Sequence, residues 1–490
     1  MRAIPLFCVL LLGCPSGPPA EPEPTPGVPG EYLDPVEVLD DWDGPVFSEL
    51  MDLEVDGNLL GFCTGVQGLQ LYDISDPADL TFVSAVEFSA GSSSYPRCQH
   101  LSFTDDRRIV VSNRGDAIQR DSFLTVLDAS TPDAPGELFT LDELEWSPEG
   151  STVVGDLVLV AGHDAGLVLF DLAPDGTLSE ITRVPLDNAW QVRVQDDWAF
   201  VANGNAGLAV VDVTNPPAAS VVAEIDLPGP AKDLEIAGDR LYVALGASGI
   251  GAVDVSDPAG PVLIDVDDTP GSALALALGD ALYVADWNDL RVFDLADPDD
   301  PRMVAKEPLP LEAAVQTRTL GIAAAGDVLF SGNWTEMVSY RYFPERSAPD
   351  ITIDPTLIQL PSVNAGDSSS AIVSVANEGS EPLVIVEVDV RDDALSVDGL
   401  ADGDVLAPGE QRNVVVRYEA ELGSVFAGEI LVRSDDPDQA DLWLSAEANG
   451  GGLTVGDTFP GATWVDWEGE TVSFSDHEGE VVLLSYFATF

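Results

Sequence analysis

Side chains that could do chemistry are scattered along this chain rather than grouped. Its three histidines, His100, His163 and His477, do not have the spacing of a metal site. No G-x-S-x-G elbow, Walker loop, dinucleotide-binding fingerprint or H-E-x-x-H motif occurs, so nucleophilic and phosphate chemistry have no visible carrier. The sequence therefore predicts no catalytic residue, no metal and no cofactor, and it favours a binding protein over an enzyme.

Residue types suited to recognition do recur in one kind of position. They lie in loops between the second and third strands of a repeated unit and at the entrances to its first strands. Aromatic rings offer stacking area and amides offer paired hydrogen bonds, so we expect an unknown protein, peptide or carbohydrate ligand. The same residue types also serve as ordinary packing and turn residues. The candidates are Trp146, His163, Asp164, Trp190, Asn203, Asn205, Asp286, Trp287, Asn288, Arg318, Asn333 and Trp334, with Arg97 and Arg114 beside them.

The unit that must position these residues is a phrase that recurs about every forty residues. It consists of a tight turn, an apolar triplet, a glycine-bearing loop, an apolar strand that ends in Asp, and a Pro turn. Such a period, with four strands per unit, is typical of a β-propeller. Seven second strands begin at Leu59, Ile109, Leu157, Trp198, Leu241, Leu282 and Val328, which predicts seven blades over residues 36–346.

The strand phrases also resemble a known family. LAVVDVTNP from Leu208 and GAVDVSDP from Gly251 are similar to the LVIVD repeats of bacterial surface propellers. The resemblance extends over all the units and is strongest in the fourth to sixth, while the last, MVSYRYF, lacks the aspartate. It implies a binding or scaffolding role for one face of the ring.

Residues 350–449 have a different pattern. AIVSVANEGSEPLVI, LAPGEQRNVVVRY and GEILVRSDDPD resemble the immunoglobulin-like modules of the ASPM-SPD2-Hydin kind. The expected fold class is therefore all-β, a seven-bladed β-propeller followed by an immunoglobulin-like β-sandwich and an incomplete thioredoxin-like segment.

That last segment, residues 453–490, resembles the start of redoxins of the TlpA and peroxiredoxin type. Its VGDTFP opening and its VVLL strand lead into FATF, where the family has FATW followed by C-x-x-C. The resemblance implies an alternative function, in which the chain is a fragment of a membrane-anchored thiol-disulfide oxidoreductase or peroxiredoxin-like protein whose C-x-x-C lies beyond residue 490.

The first residues have the pattern of an export signal. Arg2 supplies a positive charge, and the apolar stretch after it is too short to span a membrane. The LLGC ending resembles the bacterial lipoprotein box, which implies signal residues 1–14 and a diacylated Cys14. Ordinary secretory cleavage and absence of processing are the alternatives. Pro-rich residues 15–35 read as a linker, so we expect a bacterial cell-envelope protein at the outer membrane, cell surface or periplasmic side, held to the membrane by its lipid only.

The net charge limits the class of partner, and the cysteine positions bear on a covalent link between units. The formal net charge of -66, from 86 acidic and 20 basic residues, would repel DNA or RNA, so we expect no nucleic-acid partner. Of the four cysteines, Cys63 and Cys98 fall on neighbouring units. In an oxidising compartment the alternatives for this pair are a structural disulfide, two buried thiols and a redox site.

Overall fold

The computed structural model of the chain describes residues 35–41, 51–88, 96–115, 122–269, 271–287, 289–308, 319–333, 337–361, 363–364, 366–419, 426–437, 439–448, 463–465 and 471–473. Within these ranges every regular element is a β-strand except for one 3-10 turn at Pro216–Ala218. The prediction of an all-β protein is confirmed. None of the described residues belongs to a helix long and apolar enough to span a membrane.

Up to Tyr342 the described strands form seven four-stranded antiparallel sheets. The first sheet contains β2 (Asp52–Asp56), β3 (Leu59–Cys63), β4 (Leu69–Asp73) and β5 (Thr81–Val86). The second contains β6 (Arg97–Phe103), β7 (Arg108–Arg114), β8 (Ser122–Asp128) and β9 (Gly136–Leu144). The third contains β10 (Ser151–Val154), β11 (Leu157–Ala161), β12 (Leu167–Leu172) and β13 (Leu178–Val184).

The fourth contains β14 (Gln191–Gln195), β15 (Trp198–Ala202), β16 (Leu208–Asp212) and β17 (Ser220–Ile225). The fifth contains β18 (Asp233–Ala237), β19 (Arg240–Ala244), β20 (Ile250–Asp254) and β21 (Val262–Asp267). The sixth contains β22 (Ala273–Leu278), β23 (Leu282–Asp286), β24 (Asp289–Asp294) and β25 (Arg302–Pro308). The last contains β26 (Thr319–Ala325), β27 (Val328–Asn333), β28 (Met337–Tyr342) and β1 (Val36–Asp41).

Burial explains why these segments are strands. The second and third strands of each sheet are apolar along most of their length because both of their faces are covered by neighbouring sheets, as in β3, which is buried at every residue. Fourth strands are more exposed because they lie at the rim, and β17 and β21 alternate between exposed and half-buried residues. The recurring aspartates end third strands and serve the turn, since Asp73, Asp212 and Asp254 each accept a 2.9 Å hydrogen bond from the backbone N–H two residues later.

The sheets close into a ring. The first strand of each sheet contacts the first strand of the next, and β26 of the last sheet contacts β2 of the first. The last sheet is completed by β1, which pairs with β28, so that Val36 lies opposite Tyr342. Beside that pair the Phe343 N–H donates a 2.8 Å hydrogen bond to the Pro35 carbonyl. A propeller-type ring of repeated four-stranded sheets is therefore confirmed.

A disulfide links the first two sheets. The Sγ atoms of Cys63, at the end of β3, and Cys98, in β6, are 2.06 Å apart. Of the states that the sequence left open for this pair, the structure has the disulfide.

Residues Ile351–Ala448 form two further sheets around a single apolar core. One sheet has the order β29 (Ile351–Asp354), β31 (Ser368–Asn377), β35 (Gln411–Glu419) and β33 (Leu395–Asp398). The other has the order β30 (Leu357–Leu360), β37 (Asp441–Ala448), β36 (Phe426–Ser434), β32 (Leu383–Val390) and β34 (Val405–Leu406). The two sheets have the layered form of a sandwich, and the immunoglobulin-like assignment stays a prediction.

Buried charges join this two-sheet unit to the ring. The Lys306 ammonium of β25 lies 2.7 Å from an Asp350 carboxylate oxygen, and both side chains are at most 8% exposed. Nearby, the buried Arg291 guanidinium of β24 contacts Glu378 at 3.1 Å. The ring and the two-sheet unit therefore share an interface that contains buried ion pairs.

Two predicted regions fall mainly outside the described residues. Cys14 and the linker precede residue 35, so the lipidation prediction is not tested. Of the segment compared with redoxins, the structure describes the hairpin of β38 (Thr463–Val465) and β39 (Thr471–Ser473). The redoxin interpretation also stays a prediction.

Candidate functional site

A channel of about 320 Å³ runs through the centre of the ring and is lined by the first strands. The strands of the first five sheets contribute polar side chains to it, whereas β22 and β26 contribute alanine, leucine and isoleucine. The polar wall is formed by Asp52, Glu54, His100, Ser102, Ser151, Gln191, Arg193, Asp233 and Glu235.

The channel carboxylates are engaged with the backbone. A first strand is an edge strand, whose unpaired N–H groups need acceptors. Asp52 accepts a 3.0 Å hydrogen bond from the Leu101 N–H of the next sheet, and Glu54 accepts one of 3.2 Å from Phe103. Asp233 accepts one of 2.8 Å from Leu276. These acids therefore tie neighbouring sheets together.

Burial gives the channel unusual protonation equilibria. It raises the pKa of Asp52 to about 7, that of Glu54 to about 8 and that of Asp233 to about 6. Burial, with a smaller effect of Arg193, lowers the pKa of His100 to about 3, so its imidazole is neutral. The channel is thus less negative at neutral pH than its composition suggests.

A second cavity, of about 210 Å³, opens where the first strands begin, on the face that the sequence predicted for the ligand. It shares Asp52, His100 and Asp233 with the channel, so it forms the channel mouth. We define the mouth site as Glu149, Trp190 and Lys232, which line this cavity, together with Arg114 and His163, which contact Glu149 and Trp190 respectively.

Glu149 lies at the centre of this site and is buried. Its N–H donates to the Ala161 carbonyl at 2.8 Å, which fixes it against the loop that carries His163. The Ser147 hydroxyl donates to its carboxylate at 2.7 Å, and the Arg114 Nε lies 3.9 Å away. Burial raises the pKa of Glu149, while the nearby Arg114, His163 and Lys232 oppose the rise.

Trp190 and Lys232 form the wall of the mouth. The Lys232 Nζ lies 3.8 Å from the centre of the Trp190 ring, a cation–π contact. Burial lowers the pKa of Lys232, and Glu149 opposes this effect. The His163 ring meets the Trp190 ring edge-on, with the two centroids 5.4 Å apart.

The backbone of His163 is in an unusual conformation. Its φ is +53°, and its N–H and C=O pair with Ala189 next to Trp190. In other sheets the equivalent loop position is Gly65, Gly204 or Gly246, each with a similar positive φ and the same kind of bridge. A side chain at such a position costs about 1–3 kcal/mol.

Trp287 of the sixth sheet is the second non-glycine residue at this loop position. Its φ is +62° and it bridges to Thr319. In the sequence, CTGVQG, ANGNAG and ALGASG have glycine at the third position of this loop phrase, where AGHDAG has His163 and ADWNDL has Trp287. This signal distinguishes His163 and Trp287 from the other candidates.

The mouth also contains polar atoms without a partner. Among the described residues, neither the His163 Nδ1 nor the Trp190 Nε1 has a hydrogen-bond partner, although both atoms are buried. A buried unpaired polar atom costs about 1–3 kcal/mol. Strain and unpaired groups thus occur together at one place.

Three of the predicted ligand residues are buried by packing and do not face the mouth. Trp146 is 5% exposed and packs in the core between the second and third sheets. Asn203 is 1% exposed, and its side-chain oxygen accepts a hydrogen bond from the Asn188 N–H at 2.8 Å. Asp286 is fully buried, and its carboxylate contacts Arg291 at 2.8 Å and accepts hydrogen bonds from Thr269 and Gly271 of the loop that precedes β22.

The other candidates have different positions. Asp164 and Asn205 are exposed at the tips of their loops, and Trp287 is half-buried. Arg97 is exposed at the start of β6. Asn288, Arg318, Trp334 and the side chain of Asn333 lie outside the described residues. Sequence reasoning missed Glu149 and Lys232, although both stand at entrances to first strands.

Over the described ranges, no group of three or more His, Cys, Asp or Glu side chains is arranged to hold a metal ion. The mouth site instead combines two cations, Arg114 and Lys232, with the buried acid Glu149 and the Trp190 ring.

Comparison with known proteins supports the fold. The family described as the LVIVD repeat matches residues 187–226, 228–269 and 270–306, which correspond to the fourth to sixth sheets. No curated protein matches the chain. The solved structure of U3-55K is 10% identical, covers 65% of this chain and 100% of its own, and has a TM-score of 0.50. The RRP9 WD40 repeats are 10% identical, with coverage of 64% and 100% and a TM-score of 0.49. At 10% identity, the likeness to U3-55K bears on the fold alone.

Proposed function

We propose that this chain is a binding or scaffolding protein that takes up a ligand at the mouth site. The propeller-type fold supports such a role, because a rigid ring holds variable loops in fixed positions. The observation that carries the proposal is the contact of His163 with Trp190. The strained backbone of His163, which costs about 1–3 kcal/mol, holds its ring against Trp190 of the mouth cavity, and a ligand recognised there explains why glycine is replaced at this position.

The proposal includes the architecture that presents this site. We infer a seven-bladed propeller, supported by the seven described sheets, and an immunoglobulin-like sandwich over residues 350–449. The LLGC sequence supports a lipid on Cys14, with residues 15–35 as the spacer. The chain would then be displayed at a bacterial cell envelope.

The channel is the competing location for a site. Its carboxylates bond to backbone N–H groups of the next sheet, and Arg193 contacts Glu235 at 2.8 Å. These contacts give the channel residues a structural role. The mouth has the strained backbone of His163 instead, and we therefore favour it as the ligand site.

The test uses the full chain on an array of oligosaccharides and peptides. The His163→Gly and Trp190→Ala variants should lose binding to whichever probe the wild type retains. Asp280→Asn is the control, because Asp280 is exposed in a turn on the opposite face. Near-ultraviolet circular dichroism checks that each variant folds. Retention of the probe by both folded variants would show that the site lies elsewhere.

A further inference from the structure

We infer that the two-sheet unit fixes two loops of the sixth sheet at the mouth, those that carry Gly271 and Trp287, and that it acts on them through Arg291. The unit is then a control element for the shape of the mouth rather than a separate spacer. The inference goes beyond the proposed function, because it concerns what holds the wall of the mouth and not what binds there.

Arg291 is a charged residue at an interior place of the sixth sheet. It lies in β24 directly opposite Val284, and its side chain is 2% exposed. The residues at this place in the fourth and fifth sheets, each opposite a valine in the same way, are the small Ala209 and Gly251. A buried guanidinium is costly unless it is paired. The sixth sheet therefore departs from its neighbours at a place that requires acidic partners.

The partners of Arg291 come from both sides of the interface. On the ring side, its Nε contacts the Asp286 carboxylate at 2.8 Å and its Nη2 contacts that of Asp289 at 3.1 Å. On the side of the two-sheet unit, its Nη1 contacts the Glu378 carboxylate at 3.1 Å. Without Glu378 this Nη1 would keep its 3.0 Å contact with the Met303 sulfur, which is a weak acceptor. The unit therefore supplies one of the three carboxylates that hold the guanidinium.

Asp286 connects the guanidinium to the wall of the mouth. One of its carboxylate oxygens accepts a 2.7 Å hydrogen bond from the Thr269 hydroxyl. The other accepts a 3.1 Å hydrogen bond from the Gly271 N–H and is the oxygen that Arg291 contacts. The loop of these two residues leads into β22, where Leu274 lines the mouth cavity. A shift of the guanidinium therefore reaches the mouth through a single carboxylate.

Trp287 follows Asp286 directly in the chain. Its φ of +62° is strained for a residue with a side chain, and its backbone bridges to Thr319 of the seventh sheet. Such a conformation persists only where the surrounding structure imposes it. The contact of Arg291 with the preceding residue supplies part of that constraint.

A second ion pair keeps the two-sheet unit docked when the first is removed. Lys306 of β25 contacts Asp350 at 2.7 Å and donates to the Ile351 carbonyl at 3.1 Å. β25 is the outermost strand of the sixth sheet, and these contacts involve neither of the two loops. Loss of the Glu378 charge alone should therefore loosen the loops without separating the unit from the ring.

The experiment follows hydrogen–deuterium exchange of the full chain by mass spectrometry, which reports local opening of the backbone segment by segment. We expect Glu378→Gln to speed exchange about tenfold in the segments that contain Gly271 and Trp287, because it removes the charge that holds Arg291. Exchange in β29 of the same variant should stay unchanged. Thr352→Val should have a smaller effect in the two loop segments, since it removes the hydroxyl that donates to Glu378 at 2.8 Å.

Glu381→Gln is the matched control. Glu381 lies in the same loop of the two-sheet unit as Glu378, and the substitution makes the same change of charge. Its carboxylate accepts a 2.7 Å hydrogen bond from the Ser347 hydroxyl instead of contacting Arg291. It should leave exchange in both loop segments at the wild-type rate. Arg291→Lys keeps a positive charge but loses the planar fork that reaches several carboxylates, so it should speed exchange as Glu378→Gln does.

Faster exchange in the two loop segments of Glu378→Gln, but not of Glu381→Gln, would support the inference. Wild-type exchange in these segments of folded Glu378→Gln would overturn it, since the loops would then hold without the two-sheet unit. Equal acceleration in every sheet would also overturn it, because it would show a general loss of stability. These measurements use no ligand, so the inference can fail while the proposed function stands, and the reverse.

Discussion

Asp52 provides a test of the channel electrostatics through the effect of pH on stability. Burial raises its pKa from 3.8 to about 7 in the folded protein. Between these two values the folded state holds a proton that the unfolded state has lost, so the free energy of unfolding falls as pH rises. The slope for one group is about 1.4 kcal/mol per pH unit, which amounts to about 4 kcal/mol over the whole interval.

The Asp52→Asn variant removes this titration and keeps an oxygen that can accept the hydrogen bond from the Leu101 N–H. Unfolding by urea should be measured at pH 4, 5.5, 7 and 8. We expect the unfolding free energy of the wild type to fall more steeply with pH than that of the variant. The aspartates that end third strands do not contribute to the slope between pH 4 and 7, because hydrogen bonds lower the pKa of groups such as Asp73 and Asp254. Their effect appears only below about pH 4.

General repulsion within so acidic a chain also favours unfolding at high pH, so the wild-type curve alone is not decisive. The informative quantity is the difference between the slopes of the wild type and of Asp52→Asn. Asp164→Asn, in an exposed loop, controls for the loss of one negative charge. Parallel curves for the wild type and Asp52→Asn would refute the reasoning.

Three further predictions concern the covalent and ionic links. Lys306→Met should lower the unfolding free energy by about 3–5 kcal/mol at pH 8 and by less at pH 5, because it leaves Asp350 buried without its cation. Since burial raises the pKa of Asp350 to about 7, this carboxyl takes up a proton at the lower pH. Urea unfolding at both pH values measures the difference, and an equal loss at each pH would contradict it. Replacing Cys63 and Cys98 by alanine together should lower the unfolding free energy by about 2–4 kcal/mol in the same assay, because the disulfide restricts the unfolded chain. No change would show that the link is dispensable. Cys14→Ser should abolish incorporation of radiolabelled palmitate in a bacterial host, and labelling of the variant would disprove the anchor assignment.

Much of the fold follows from the sequence for a simple physical reason. Strands covered on both faces must be apolar along their length, so β3 and its equivalents appear as a periodic pattern. The aspartates that end third strands recur because each bonds the same turn N–H. Local interactions of this kind repeat whenever the unit repeats.

The site was harder to predict because its members meet only in three dimensions. Asp286 looks like an exposed loop acid, and it is buried because Arg291 and Thr269 supply its hydrogen bonds. Glu149 and Lys232 belong to different sheets and become neighbours only through the ring. His163 is the exception, since its replacement of a repeated glycine is visible in the sequence.

The pairing of β1 with β28 has a mechanical consequence. The chain enters the ring beside Val36 and leaves it beside Tyr342, and the hydrogen bond from Phe343 to Pro35 lies at that same end. A force that pulls the preceding and following segments apart would therefore peel this one strand pair from its end, one hydrogen bond after another. The buried contacts of Asp350 with Lys306 and of Glu378 with Arg291 would share this load with the sixth sheet. If the protein is stretched between a surface and a partner, release of these contacts and of β1 would open the ring at the sheet where it closes.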